Sequence, residues 1–453
     1  MSDRSMVTQP GLSREAELDV LESHVREALK LAGKAGADEA EVSAHSSQGL
    51  SVTARLGEVE TLERMQDRGI AVSVLIGKRK GNANSADLSR ASIEDCVRYA
   101  IDIARFTQED PANGLADPAR LATDFPDLDL WHPVEMDARA AIDRAQACEA
   151  AGRQEDKITN SEGASFDAGL GLGVYGNSNG FVGRSAGTRF SQSCVLLAGE
   201  GDSMQRDYSY DSRRCFSDLE TPEATGTEAA RRTIRRLGAR QLATAEMPVL
   251  FAPDVAKGLL GHLVGAVSGS ALYRNASFLK DRAGDMIFPP WLNILERPRL
   301  LRGAASASFD SEGVATTERR LVDEGTLTGY VLSNYSANRL GLETTGNAGG
   351  VRNLLLQPGG EGCVDLLSHM RNGFYVTEVM GQGVSMVTGD YSRGASGFLV
   401  ENGEISCPIE EVTIAGNLKD IFMNVIAAGK DIDTRSNIHS GSVLISTMMV
   451  AGS

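Results

Sequence analysis

The chain has 453 residues, 42% of them hydrophobic, which is enough for two or three domains with a sizeable core. Its net charge of −16 argues against nucleic-acid binding, which needs basic surface to displace counterions from phosphates. Forty-nine glycines and only 5% aromatics favour a turn-rich β architecture. Residues 1 to 13 read as a flexible polar tail without the apolar stretch of a secretory signal. No run of 18 apolar residues is present, so no membrane span and a cytoplasmic location are expected.

In chain order, 14–36 reads as a helix closed by Gly36. Four short alternating runs follow, Glu41 to Ser46, Leu50 to Leu56, Glu60 to Met65 and Ile70 to Ile76, predicting an antiparallel meander. Ser92 to Phe106 carries Ile93, Cys96, Val97, Ala100, Ile101 and Ala104 on one helical face, with Ser92 and Asp95 as a capping box. The Asp- and Pro-rich segment 107–133 reads as a linker, and 137–155 as an amphipathic helix. Residues 157–197 alternate as strand, and Thr221-Pro222 opens a helix running to about Arg240. The expected class is α+β: a mixed α/β N-terminal part with an antiparallel sheet over 14–245 (subparts 14–106 and 137–245), then a β-rich C-terminal domain over 246–453.

Motif searches mostly exclude chemistry. A zincin helix needs His-Glu so that imidazoles hold metal while the carboxylate activates water. None of the six histidines (His24, His45, His132, His262, His369, His439) is followed by Glu, and no two lie within five residues. The six cysteines show no Cys-x-x-Cys spacing and read as reduced thiols. Gly176-Asn-Ser-Asn-Gly180 fits a nucleophile elbow formally, but strand follows it, so it reads as a turn. Glycine clusters at 346–350 and 381–383 lack the Gly-Lys-Ser/Thr ending of a phosphate loop.

Two features invite a binding role. The predicted helix 254–272 aligns Gly258, Gly261, Gly265 and Gly269 on one face with His262 at its edge. Each mid-helix glycine costs about 1 kcal/mol relative to alanine, so the stripe needs a compensating gain. Close packing within the chain supplies one; room for an extended peptide or a partner subunit supplies another. The second feature is the polar loop around Gly389, Asp390, Tyr391 and Arg393, carried on a hairpin marked by Asn402-Gly403. Arg232, Arg236 and Arg240 form a further stripe, expected to be solvated or to dock an acidic partner.

Several long segments resemble the TldD/PmbA family, specifically its PmbA (TldE) branch. They are Met204-Gln-Arg-Asp-Tyr208, Leu272-Tyr-Arg274 with Ser277-Phe278, Phe309-Asp-Ser-Glu-Gly313, and Thr344-Thr-Gly-Asn-Ala-Gly-Gly350. Met380-Gly-Gln-Gly383, Thr388-Gly-Asp-Tyr-Ser-Arg-Gly-Ala-Ser-Gly397, Val400-Glu-Asn-Gly-Glu404, Ile414-Ala-Gly-Asn-Leu418 and Gly441-Ser-Val443 complete the set. The resemblance covers nearly all of the chain after residue 15. It implies a cytoplasmic heterodimeric zinc peptidase that trims unfolded peptides, including microcin precursors and antitoxins. In it a TldD-type subunit carries His-Glu-x-x-x-His, and the PmbA-type subunit lacks it. Here His262 would stand at the first ligand position, Leu263 in place of the glutamate and Val267 in place of the second histidine. The resemblance therefore implies no catalytic residue and no cofactor in this chain, with zinc in the partner. Two alternatives stand beside it: a self-standing peptidase acting as a homodimer, and a regulatory protein such as a DNA gyrase modulator.

Overall fold

The computed structural model describes residues 13 to 452, so the expected tail lies outside the described residues apart from Ser13. Ser13 caps helix α1 (Arg14–Lys34), its hydroxyl accepting the Ala16 N–H, and Leu18, Leu21, Val25, Ala28 and Ala32 form the buried stripe. Strands β1 (Glu39–Arg55), β2 (Glu58–Ile76) and β3 (Arg79–Ser85) follow, then helices α2 (Arg90–Phe106) and α3 (Ala138–Gly152). Strands β4 (Ile158–Asn177), β5 (Val182–Ala198) and β6 (Gln205–Arg213) and helix α4 (Pro222–Ile234) complete this half. The strands make one antiparallel sheet in the order β3-β2-β1-β4-β5-β6.

The four short runs of the expected meander merge into the two long strands β1 and β2. Of the turns anticipated between them, one exists, at Leu56-Gly57 (φ 54° and 83°). Gly49 and Gly69 do not turn the chain, because their bare backbone makes room for neighbouring side chains. An added Cβ at Gly49 would lie 3.1 Å from Met65 Cε, and one at Gly69 3.0 Å from the His45 ring. The cap of α2 also differs: Ser89, not Ser92, accepts the first N–H, and Asp87 accepts hydrogen bonds from both hydroxyls. The Gly176–Gly180 segment is a turn between β4 and β5, with the Ser178 hydroxyl accepting the Ala40 N–H at 3.0 Å. The segment 107–133 does more than link. It docks on the C-terminal half, where the Ala122 N–H donates to the Gly313 carbonyl.

The C-terminal half is built on β7 (Ala245–Phe251), which pairs parallel with the Gly373–Met380 strand and antiparallel with Val443–Ala451. Strands Asp390–Glu401 and Glu404–Asn417 extend the sheet, joined by the expected Asn402-Gly403 turn (φ 54° and 86°). The end of the latter strand pairs with Val443–Ala451, so the sheet closes on itself. A smaller five-stranded sheet lies beside it. After β7 come helices α5 (Pro253–Ala266) and α6 (Gly269–Tyr273). The single helix expected over 254–272 is thus broken at Val267-Ser268. There the Ser268 hydroxyl caps α6, and the Gly269 N–H pairs with the Val331 carbonyl. Among the described residues no helix is long and apolar enough to cross a membrane.

The arginine stripe is not a surface. Helix α4 stops at Ile234; Arg232 within it and Arg236 just beyond it turn into the junction between the two halves. Arg232, 13% exposed, bridges Asp207 of β6 and Asp254 of α5 at 3.2 and 3.0 Å. Arg236 pairs with Glu378 at 2.6 Å. Lys257 of α5 pairs with Asp433 at 2.7 Å, and Arg435 shares that carboxylate while lying 4.2 Å from the centre of the Tyr210 ring. Arg240 alone of the three stays exposed, its backbone bonded to Pro408 and Glu410. The acidic chain uses these cations internally, because a buried carboxylate is tolerated only with a partner.

Candidate functional site

Helix α5 starts on Pro253, whose missing N–H has no helical partner to lose, and places Asp254 at the positive end of the helix dipole. Ala256, Leu259, Leu260, Leu263 and Ala266 bury one side against the closed sheet. On the other side a Cβ added at Gly258 or Gly261 would meet no atom within 4 Å. One added at Gly265 would touch only Met386 Sδ, at 3.5 Å. These three glycines therefore leave an open strip of helix backbone. Gly269 does not belong to it. It lies beyond the break, where an added Cβ would fall 2.4 Å from Ser336 Cβ, so its bareness serves internal packing.

His262 sits half-buried at the edge of the strip, its ring edge-on to Tyr391 with centroids 5.8 Å apart. Tyr391 is buried, and desolvation pushes its phenol up to about 12, opposed by Arg393, so it keeps its proton. Burial first, then the positive charge of Arg393, holds the His262 imidazolium below its ordinary pKa, and the ring is neutral at pH 7. Among the described residues it makes no hydrogen bond to the protein, leaving one ring donor and one acceptor for something outside. Arg393 is fixed by donation from Nε to the Met380 carbonyl at 3.1 Å.

The polar loop expected around 389–397 is for the most part a strand. Asp390 already begins it, and Gly397 lies under the Tyr375 carbonyl, which an added Cβ would strike at 2.0 Å. Gly389 (φ 88°) and Asp390 form a latch at the start of the strand. The Asp390 carboxylate accepts from the Thr388 hydroxyl at 2.6 Å and from Asn417 Nδ2 at 3.1 Å, which draw its pKa below the ordinary value. Gly258, Gly261 and Gly265 thus lie open beside His262, which Tyr391 and Arg393 flank, whereas Gly269 is packed and Gly389 and Asp390 hold a turn. Met386, against Gly265, went unnoticed in the sequence. The signal available for it is the alternation of Val384 and Met386 around Ser385, just after the Met380-Gly-Gln-Gly383 segment.

This donor set does not suit zinc. His262 faces a phenol and a guanidinium, and a cation beside the imidazole opposes metal binding. Leu263 and Val267, at the positions where the resemblance would put the base and second imidazole, are both 0% exposed in the hydrophobic core. Among the described residues no three His, Cys, Asp or Glu side chains converge in a metal-holding group.

Comparison with known proteins gives the same lineage along the chain. Residues 40–104, 131–237 and 244–452 match the models of domain 1, the central domain and the C-terminal domain of the PmbA/TldA metallopeptidases. The chain is 50% identical over 440 residues to the metalloprotease PmbA of Escherichia coli O157:H7, covering 97% of each. It is 45% identical to a Haemophilus influenzae PmbA homologue, covering 98% of this chain and 100% of that one. Among solved structures, a Bacteroides thetaiotaomicron protein described as a candidate modulator of DNA gyrase superposes with TM-score 0.89 at 27% identity, over 98% and 100% of the two chains. TldE from Thermococcus kodakarensis shares the fold, with TM-score 0.82 at 19% identity over 96% and 100%. The segments, the fold and the relatives agree: this chain belongs to the PmbA/TldD metallopeptidase family, in its PmbA branch.

Proposed function

We propose that this chain is the non-catalytic subunit of a TldD/TldE-type heterodimeric zinc metallopeptidase that acts in the cytoplasm on unfolded peptides. The observation that carries the reading is the fate of Leu263 and Val267. Both are sealed in the core behind α5, so the helix that would hold the metal keeps only His262, next to a fixed guanidinium. What it keeps instead is an open glycine strip flanked by a neutral, unengaged imidazole. That surface suits an extended peptide backbone, which needs close approach and main-chain hydrogen bonds more than side-chain pockets. The partner would supply zinc, the base and the bond cleavage; this chain would complete the cavity and hold the substrate. Relatives named as metalloproteases, a fold shared with a TldE protein, and 22% identity to a TldD homologue of Haemophilus influenzae support the assignment. The test is reconstitution with a family member bearing His-Glu-x-x-x-His, assayed on unfolded microcin-precursor or antitoxin peptides. Cleavage should need both chains, and failure of the two to associate would remove the proposal.

A further inference from the structure

Between α1 and the C-terminal half lies a cavity of about 620 Å³, within the size range of small-ligand sites. Its wall is aromatic. Phe125 and Phe309 meet edge to face at 6.0 Å, Phe309 packs on Phe181 at 5.3 Å, and Leu18, Leu128 and Trp131 add further apolar lining. Phe309 fits because Gly183 has no side chain: an added Cβ there would lie 2.5 Å from Phe309 Cζ. Phe125 remains 49% exposed, an apolar ring left uncovered. Two of the family segments, 309–313 and 344–350, come together here, and neither belongs to the α5 site.

The charges lining this cavity are unequal in their commitments. Asp310, 1% exposed, is saturated by the N–H groups of Glu312, Val314 and Ala348 at 2.9, 3.0 and 2.8 Å. Arg184 is held by the α1 carboxylates of Asp19 and Glu22, Arg14 by Glu15, and the Asp127 carboxylate accepts the Asp129 N–H at 2.9 Å. Arg352 differs. Among the described residues no carboxylate lies within ion-pair distance of its guanidinium, although its charge reaches the Asp310 carboxylate. Its Nε is buried without a hydrogen-bond partner, and Nη2 makes only a long 3.4 Å bond to the Ala348 carbonyl. A guanidinium presents donors in a planar fork that matches a carboxylate, and leaving such a donor buried and unmade is costly.

We infer that this cavity binds a carboxylate carried on an apolar or aromatic group, the carboxylate on Arg352 and the group against Phe125, Phe309 and Trp131. A free aromatic acid and the C-terminal residue of a peptide offer the same chemistry. The inference stands apart from the peptidase reading, since it needs this chain alone.

Trp131 and Trp291 are the chain's two tryptophans, so Trp291→Phe leaves Trp131 as sole reporter. Titrating that variant with N-acetylphenylalanine should change its fluorescence saturably, and N-acetylphenylalanine amide should not. Short peptides ending in phenylalanine, with free or amidated termini, form the second arm. Binding of the free-ended peptides assigns the site to chain ends, and binding of the small acid alone assigns it to free acids; both support the inference. Arg352→Gln should weaken acid binding at least tenfold, with Arg352→Lys in between. Calorimetry on the unsubstituted chain provides the second readout. Equal binding of acid and amide, no binding of either acid, or unchanged affinity in a folded Arg352→Gln protein would overturn it.

Discussion

The first turn of α5 and the glycine strip that continues along the same side of the helix are opposites in chemistry. At the first turn, Asp254 and Lys257 are locked in ion pairs with groups from both halves of the molecule. One turn further on, Gly258, Gly261 and Gly265 face space, and His262 has no protein partner for its ring nitrogens. The contrast separates an anchored end of the helix from an open one. The helix is fixed at one end by buried charge, which tolerates no vacancy, and left bare behind it, where the proposed peptide backbone would have room.

The largest effect should come from breaking the anchor. Arg232→Ala leaves Asp254 without its cation and Asp207, 4% exposed, with only Arg236 at 3.8 Å, and should cost about 3 kcal/mol in urea unfolding. A loss below about 1 kcal/mol would mean that the junction is not held by charge. Glu312, also at the contact between the halves, sharpens the point. Burial, then the nearby charges of Asp310 and Glu41, raises its pKa to about 7, against the Asn334 N–H it accepts. Because the folded state holds this proton more tightly than the unfolded chain, stability should fall as pH rises from about 4.5 through 7. The loss should be roughly 3 kcal/mol at 1.36 kcal/mol per pKa unit. Glu312→Gln should flatten that part of the stability–pH curve; an unchanged slope would assign it to other groups.

The glycines give smaller and opposite effects. Gly269→Ala should destabilise by about 1–3 kcal/mol, because its Cβ overlaps Ser336. Gly261→Ala should stabilise by about 0.5–1 kcal/mol, since it removes a helical glycine at no steric cost. Equal signs for the two would erase the distinction drawn here between packed and open glycine. Smallest of all, Arg393→Gln should raise the His262 pKa measured by NMR titration while leaving the fold intact.

Much of this was legible from residues alone. The helices α1, α2 and α3 followed from apolar spacing, and the Asn402-Gly403 turn from residues that tolerate positive φ. The one-sided spacing of the helix glycines was legible too, but not that Gly258 and Gly261 lie open, nor where the strip ends. Gly269 continues the spacing of Gly261 and Gly265, and only Ser268, a small residue that reads equally as helix interior or cap, separates them. The arginine stripe misled for a different reason. Its partners Asp207, Asp254 and Glu378 come from a strand before it, a helix after it and a strand far beyond, and no local pattern records such pairings. Apolar spacing does put Leu263 and Val267 on a buried arc of this helix, where both are 0% exposed, but nothing local shows that Gly389 and Asp390 secure a turn.

The most direct measurement is proteolysis of an unfolded peptide by this chain alone, by a His-Glu-x-x-x-His relative alone, and by the two together with either the natural chain or Gly261→Leu. The account predicts chelator-sensitive cleavage only when both natural chains are present, and its loss with a Gly261→Leu protein that is folded. Chelator-sensitive cleavage by this chain on its own would contradict it.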